Sequence, residues 1–168
     1  MAEAPVIRAV TPADASAIAG IYNHYIRHTT VTFEEADVSA SDMAGRIATA
    51  SPVRPWLVAE RGGELAGYAY ARTYHERAAY RHTVETAVYL DHRRVGQGLG
   101  AALYGALLDQ LPRGAIHALV GSIALPNEPS VRLHEKLGFE QVGLYPQIGF
   151  KFGKWIDVVR YHRLLGTP

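Results

Sequence analysis

Four groups of residues in this sequence have the types and spacing to do chemistry. The first is the segment Gly96-Gln97-Gly98-Leu99-Gly100-Ala101, which follows the alternating run TVETAVYL and opens an apolar helical pattern. Glycines let the backbone turn tightly and approach a ligand. The first amides of a helix starting near Gly98 lack intrahelical partners and carry the positive end of its dipole, so a phosphate or pyrophosphate suits them. The second is Glu85, a carboxylate in an otherwise apolar and hydroxyl-bearing strand. In a partly dry site such a group can serve as a general base near neutrality; the alternative is a strand glutamate facing water. The third is Asn127, Ser130 and His134, spaced three and four positions apart on one helical face. Imidazole exchanges protons near neutral pH, while Asn127 and Ser130 also suit simple helix caps. The fourth is Arg77, in the loop Tyr74-His75-Glu76-Arg77-Ala78-Ala79-Tyr80. Its planar guanidinium can hold a carboxylate or phosphinate through two parallel hydrogen bonds, or it can simply be solvated.

Other chemistries fit less well. Gly96-x-Gly98-x-x-Ala101 satisfies the bare dinucleotide fingerprint, but no acidic residue for a ribose stands between Ala115 and Asn127, and no Gly-Lys-Ser/Thr follows to make a phosphate loop. His24 and His28, four apart on an expected helix, could share a metal, yet they have no HExxH pattern and no evident third ligand, so no metal is expected. The chain has no cysteine, hence no disulfide and no thiolate nucleophile. Seventeen Lys+Arg against sixteen Asp+Glu give a net charge of +1, with no basic run longer than Arg93-Arg94. That lacks the footprint of a nucleic-acid binder. No apolar run approaches the roughly 20 residues that cross a bilayer, and the N-terminal stretch has no signal-peptide core, so no membrane partner and a cytoplasmic location are expected.

The elements that must position these groups can be read from pattern. A strand is expected over residues 6–10, then a helix entered through Thr11, Pro12 and Asp14, with Ile18, Ile21, Tyr22 and Tyr25 on one face. A weaker helix over 39–50 precedes two strands, WLVAE and ELAGYAYAR, joined at Arg61-Gly62-Gly63. Leu99, Leu103, Leu107 and Leu111 mark a helix stopped by Pro112. A strand over 115–123 and a helix over 129–137 closed by Gly138 follow, then a hairpin around Gly153-Lys154. With 168 residues, one domain spanning 1–168 is expected, of mixed α/β class, with antiparallel strands first and βαβα afterwards.

Taken in order, NHYIRHTTVTFEE, PWLVAE, TVETAVYL, GLGAALY, LPNEPSVRLHEKLGF and GFKFGKWIDV resemble the GCN5-related N-acetyltransferases (GNAT), in their phosphinothricin and methionine sulfoximine branch. The resemblance implies a mixed central sheet with an antiparallel N-terminal meander and a splayed parallel strand pair, and acetyl-CoA as co-substrate. It puts pantetheine along the backbone of Val88, Tyr89 and Leu90, and pyrophosphate on the amides of Val95, Gly96, Gln97, Gly98, Leu99, Gly100 and Ala101. Asn127 and Ser130 would bond CoA, Glu85 would be the base, and His134 would donate a proton to the leaving thiolate or order the site. Phe33, His75, Arg77, Tyr80 and Glu85 would face the acceptor, with packing a second reading for Tyr80. Val95 departs from the family, which usually has Arg or Gln there, so the turn is expected to act through its backbone. Arg93 and Arg94 stand close enough in sequence to reach a phosphate.

The implied reaction is acetyl transfer to the α-amino group of a small acidic amino-acid-like molecule, directly within a ternary complex, because no residue offers itself as an acetyl carrier. A peptide or protein N-terminus is the alternative acceptor, and a non-catalytic acyl-CoA sensor the alternative function. Relatives in this branch are commonly homodimers, and the aromatic segment GFKFGKWIDVVRYH could supply such an interface.

Overall fold

The computed structural model describes residues 4–166. Its contacts divide the chain into two compact units woven from alternating segments: the first holds the chain up to Tyr22, Val38–Arg72 and Thr86–Pro112; the second holds Asn23–Asp37, Thr73–Glu85 and the chain from Arg113 onward.

In the first unit, β1 (Val6–Ala9) pairs antiparallel with β2 (Trp56–Arg61), which pairs antiparallel with β3 (Glu64–Thr73) across the tight turn at Gly62-Gly63. The neighbour of β3 is β4 (Thr83–Leu90), a strand whose first three residues belong to the second unit. Trp56, Leu57, Val58 and Ala59 are all buried, so this strand is covered on both faces. Helix α1 (Ala15–His28), whose residues from Asn23 on belong to the second unit, is entered as expected: the Asp14 carboxylate accepts from the Thr11 N–H at 2.7 Å and from its hydroxyl at 3.1 Å. A single 3-10 turn at Pro12–Asp14 precedes it. Ile18, Ile21, Tyr22 and Ile26 are buried, with Tyr25 half-buried, as the helical period requires. Helix α2 (Ala40–Ile47) is capped by Ser39, whose side chain accepts from the Asp42 N–H at 3.0 Å. Helix α3 (Leu99–Gln110) buries Leu99, Leu103, Tyr104 and Leu107 almost completely, each side chain contributing on the order of 1.5–3 kcal/mol relative to an exposed one.

In the second unit, β4 begins a parallel ladder with β5 (Ala118–Ala124): Thr83 faces Ala118, Val84 faces Leu119, and the ladder stops at Glu85 and Val120. Helix α4 (Glu128–Lys136) follows, then β6 (Glu140–Lys151) and β7 (Lys154–Leu164). The spatial order is β4-β5-β7-β6, because β7 inserts antiparallel between β5 and β6. The expected βαβα run is β4-α3-β5-α4, and its one parallel pair is β4 with β5; β7 then joins β5 antiparallel. The hairpin turn is Phe152-Gly153, both at positive φ (52° and 71°), with Lys154 already the first residue of β7. β6 also starts earlier than its aromatic residues suggest, and its register slips between Tyr145 and Gly149, where Gln147 takes φ 52°. Period-2 reading fails across such a bulge.

Candidate active site

In the first unit, β4 runs out through half-buried Val88, Tyr89 and Leu90 into buried Asp91. The Asp91 carboxylate accepts from the Arg93 N–H at 2.9 Å and from the Arg93 guanidinium at 2.6 Å. These bonds, the guanidinium's above all, hold its pKa down at about 2. Arg94 donates to Glu64 at 2.5 Å and to the Arg61 carbonyl at 3.2 Å, and Arg61 in turn donates to Gln97 at 2.5 Å. Of the arginines expected near a phosphate, Arg93 thus braces the turn against its own flank and Arg94 braces it against the ends of β2 and β3. The turn itself, Val95 to Gly98, is exposed, with Val95 at 54%. Gly96 (φ 78°) and Gly98 (φ 74°) occupy the left-handed region, where a side chain is costly, whereas Gly100 lies in the first turn of α3. Gly98 is the N-cap of α3 and supplies no side-chain cap, so the first amides of the helix, those of Leu99, Gly100 and Ala101, have no intrahelical acceptor. Behind it, the Thr86 and Tyr104 hydroxyls share a buried hydrogen bond of 2.7 Å that ties β4 to α3.

In the second unit, Glu85 sits where the parallel ladder ends. Its Oε1 accepts from the Ser122 hydroxyl at 2.7 Å, and the Arg160 guanidinium lies 3.6 Å away while also donating to Ser122 Oγ. Sequence reasoning missed both partners. The signals for them were slight: Ser122 interrupts the apolar LVGSIA run, and Arg160 is the charge within VVRYH, 75 residues along the chain from Glu85.

Along α4, Asn127 Oδ1 accepts from the Ser130 N–H at 3.3 Å and caps the helix. His134 is 4% exposed, its ring edge-on to Phe139 at 5.1 Å and tilted against Tyr161 at 5.8 Å. Its Nδ1 lies 2.8 Å from the Ser130 carbonyl, which can only accept, so Nδ1 carries the proton. Nε2 faces the backbone of Gly121, where an added Cβ would lie 2.7 Å from it. Burial pushes the His134 pKa below 6.5, so the ring is held neutral with Nε2 as an acceptor. That tautomer suits ordering of the site; donating a proton requires the imidazolium, which burial disfavours.

The remaining residues form a loop cluster in the same unit. His75 Nδ1 accepts from the Arg77 N–H at 3.2 Å, and the His75 and Tyr80 rings lie 5.0 Å apart; all three residues are exposed. Phe33 rests on β6 at Gly149, where an added Cβ would come within 2.3 Å of its ring. Next to it, fully buried Lys151 donates from Nζ to the Thr32 carbonyl at 2.8 Å, and burial lowers its pKa. Nothing in GFKFGKW distinguishes this lysine from a solvated one, so the anchor of the Thr32-Phe33-Glu34 loop was invisible in sequence. The His24 and His28 rings lie 5.0 Å apart, and among the described residues no group of three His, Cys, Asp or Glu is placed to hold a metal.

With this geometry in place, the family model for the acetyltransferase (GNAT) domain matches residues 7–159. The chain belongs to the GNAT acetyltransferase family. This GNAT protein is 41% identical over 162 residues to the phosphinothricin N-acetyltransferase of Streptomyces viridochromogenes, covering 96% of this chain and 88% of that one. It is 37% identical over 153 residues to the L-methionine sulfoximine/L-methionine sulfone acetyltransferase of Salmonella typhimurium, covering 90% of each. Its fold matches the phosphinothricin acetyltransferase of Sinorhizobium meliloti, solved with acetyl-CoA, at a TM-score of 0.92 and 34% identity, over 98% of this chain and 90% of the other. The α/β class, the mixed sheet with its parallel β4–β5 pair and, among the described residues, the four α-helices are those of the GNAT fold.

Proposed function

We propose that this GNAT acetyltransferase uses acetyl-CoA to acetylate the α-amino group of a small, acidic, amino-acid-like molecule of the phosphinothricin or methionine sulfoximine/sulfone kind. The observation that carries this reading is Glu85: a strand carboxylate at the end of the parallel ladder, fixed by a hydroxyl on β5. The amides from Val95 to Ala101 would hold the pyrophosphate, with the backbone of Val88, Tyr89 and Leu90 and the polar groups of Asn127 and Ser130 for pantetheine. Acetyl-CoA supplies the thioester. The acceptor arrives as an ammonium ion, and Glu85 removes one proton; the neutral amine bonds to the acetyl carbon as the carbon–sulfur bond breaks, and the second proton, shed by the new amide nitrogen, ends on the departing thiolate to give the free thiol. Direct transfer is supported by the absence of cysteine and of a serine in a recognisable nucleophile turn. Arg77, His75, Tyr80 and Phe33 form the acceptor side, Arg77 for the acidic group.

The family match runs from 7 to 159 without a break, which supports reading 1–168 as one acetyltransferase domain. It works in the cytoplasm, where its thioester co-substrate is supplied. The protein pairs with a second copy of itself through the β6–β7 hairpin, whose side chains Val142, Ile148, Phe150, Phe152 and Trp155 are each more than half exposed. The deciding test is thiol release from acetyl-CoA across a panel of amino acids, their phosphinic, sulfoximine and sulfone analogues, and peptides. Turnover confined to amino-acid analogues supports the reading; turnover confined to peptides, or none with any amine, overturns it.

A further inference from the structure

The Glu85 carboxylate is held from two other strands. Ser122 stands on β5 and Arg160 on β7, directly opposite one another in the antiparallel register, while Glu85 pairs with Val120 two residues before Ser122. Ser122 Oγ lies 2.7 Å from Glu85 Oε1; Arg160 Nη1 donates to Ser122 Oγ and lies 3.6 Å from Glu85 Oε1. Arginine has only donors and a carboxylate only acceptors, so the hydroxyl between them has one possible direction: it accepts from Arg160 and donates to Glu85. The arginine thereby orients the serine proton. Arg160 is fixed in turn, its guanidinium lying over the Tyr145 ring at 5.6 Å, with its side chain about a third exposed against 15% for Glu85.

We propose that Ser122 and Arg160 are positioning residues for acetyl transfer: together they commit Glu85 Oε1 to the hydroxyl and fix the carboxylate that takes the acceptor's proton. Neither touches the reacting atoms. The inference rests on Glu85 being the base and adds what aims it. A carboxylate on a strand end has rotatable bonds between backbone and oxygens, and misplacement of a catalytic group by about 1 Å costs on the order of a hundredfold in rate. Arg160 also supplies the charge that keeps the hydroxyl from turning away.

The test is a set of full-length variants assayed with acetyl-CoA and the best acceptor of the panel. Ser122→Ala and Arg160→Gln are expected to lower kcat by about tenfold or more while KM for acetyl-CoA changes little, with thermal unfolding showing both folded. Ser122→Thr, which keeps the hydroxyl, is expected to restore most of the rate. In the Glu85→Gln background, Ser122→Ala is expected to cost nothing further, because there is no longer a base to aim. Should Ser122→Ala fail to fold, Arg160→Gln at its partly exposed position carries the same comparison. If Glu85→Gln abolishes turnover while Ser122→Ala and Arg160→Gln stay within about twofold of wild type, the positioning role is overturned and the base survives. If their losses multiply undiminished on Glu85→Gln, the effect is structural and the proposal also fails. If Glu85→Gln itself turns over normally, the base reading falls and this inference with it.

Discussion

Glu85 carries the heaviest chemical burden in the proposed reaction, and replacing one of its oxygens is the sharpest perturbation available. Glu85→Gln keeps the shape and a hydrogen bond to Ser122 yet removes the base, so kcat is expected to fall by about a hundredfold or more with acetyl-CoA binding intact. Unchanged turnover at every pH would sink the base assignment. His134 makes a different kind of prediction. Its pKa is lowered by burial, so on acidification below 6.5 the unfolded chain takes up the proton before the folded one. Stability conferred by the neutral ring is complete above that value and declines as pH falls through it, by at most about 1.4 kcal/mol per pH unit. Urea midpoints measured at pH 7 and pH 5 are expected to differ more for the wild type than for His134→Asn; equal differences would refute the linkage. Asp14 shows the corresponding behaviour for a carboxylate. Its bonds to Arg8, and behind them to Thr11, depress its pKa to about 2. The stability it confers is full above the usual carboxylate range and vanishes as pH falls through about 2. Asp14→Asn is therefore expected to cost about 2 kcal/mol at pH 7 and little at pH 2, read from denaturant titrations at both.

Two elements carry local geometry that a single methyl group would upset. Gly98 caps α3 at φ 74°, and an alanine there costs about 1–2 kcal/mol and tilts the first amides of the helix. Gly98→Ala is expected to weaken acetyl-CoA binding at least about fivefold by calorimetry. Gly105 lies within the same helix with nothing within 4 Å of an added Cβ, and Gly105→Ala is expected to stabilise the protein by about 0.5–1 kcal/mol without touching binding. If the two variants bind alike, the turn is only a connector. At the other end, Gly149 on β6 leaves room for the Phe33 ring, which a Cβ would approach to 2.3 Å. Gly149→Ala must displace Phe33 and is expected to raise KM for the acceptor while leaving KM for acetyl-CoA unchanged. The helices and most strands behind these positions were legible because burial at period 3.6 or 2 leaves a direct trace in residue type, as in Leu99, Leu103 and Leu107. The bulged β6 and the insertion of β7 left no such trace, since both depend on which distant strand supplies the hydrogen bonds.

For the molecule as a whole, the exposed aromatic hairpin is the feature that a lone chain does not explain. Trp155 is 65% exposed, its ring 4.8 Å from that of Phe150, while Phe152 and Ile148 are similarly open. Light scattering is expected to give twice the 18.4 kDa of one chain, and Phe150→Ser with Trp155→Glu to give a monomer that still folds. A monomeric wild type at working concentration would refute the pairing. From the sequence alone came the family, the order of its elements, the glycine turn, the strand glutamate and the Asn-x-x-Ser helix, because these depend on neighbours close along the chain: caps, turns and periodic burial. What the sequence could not contain was the company each residue keeps. Ser122 and Arg160 meet Glu85 across 37 and 75 positions of chain, and Lys151 reaches the Thr32 carbonyl across 119. Arg93 and Arg94 turn to acidic partners at hand, and the burial of His134 fixes its charge and tautomer. Those outcomes belong to tertiary structure, because the direction of a hydrogen bond and the dryness of a site are set by whatever the fold brings alongside.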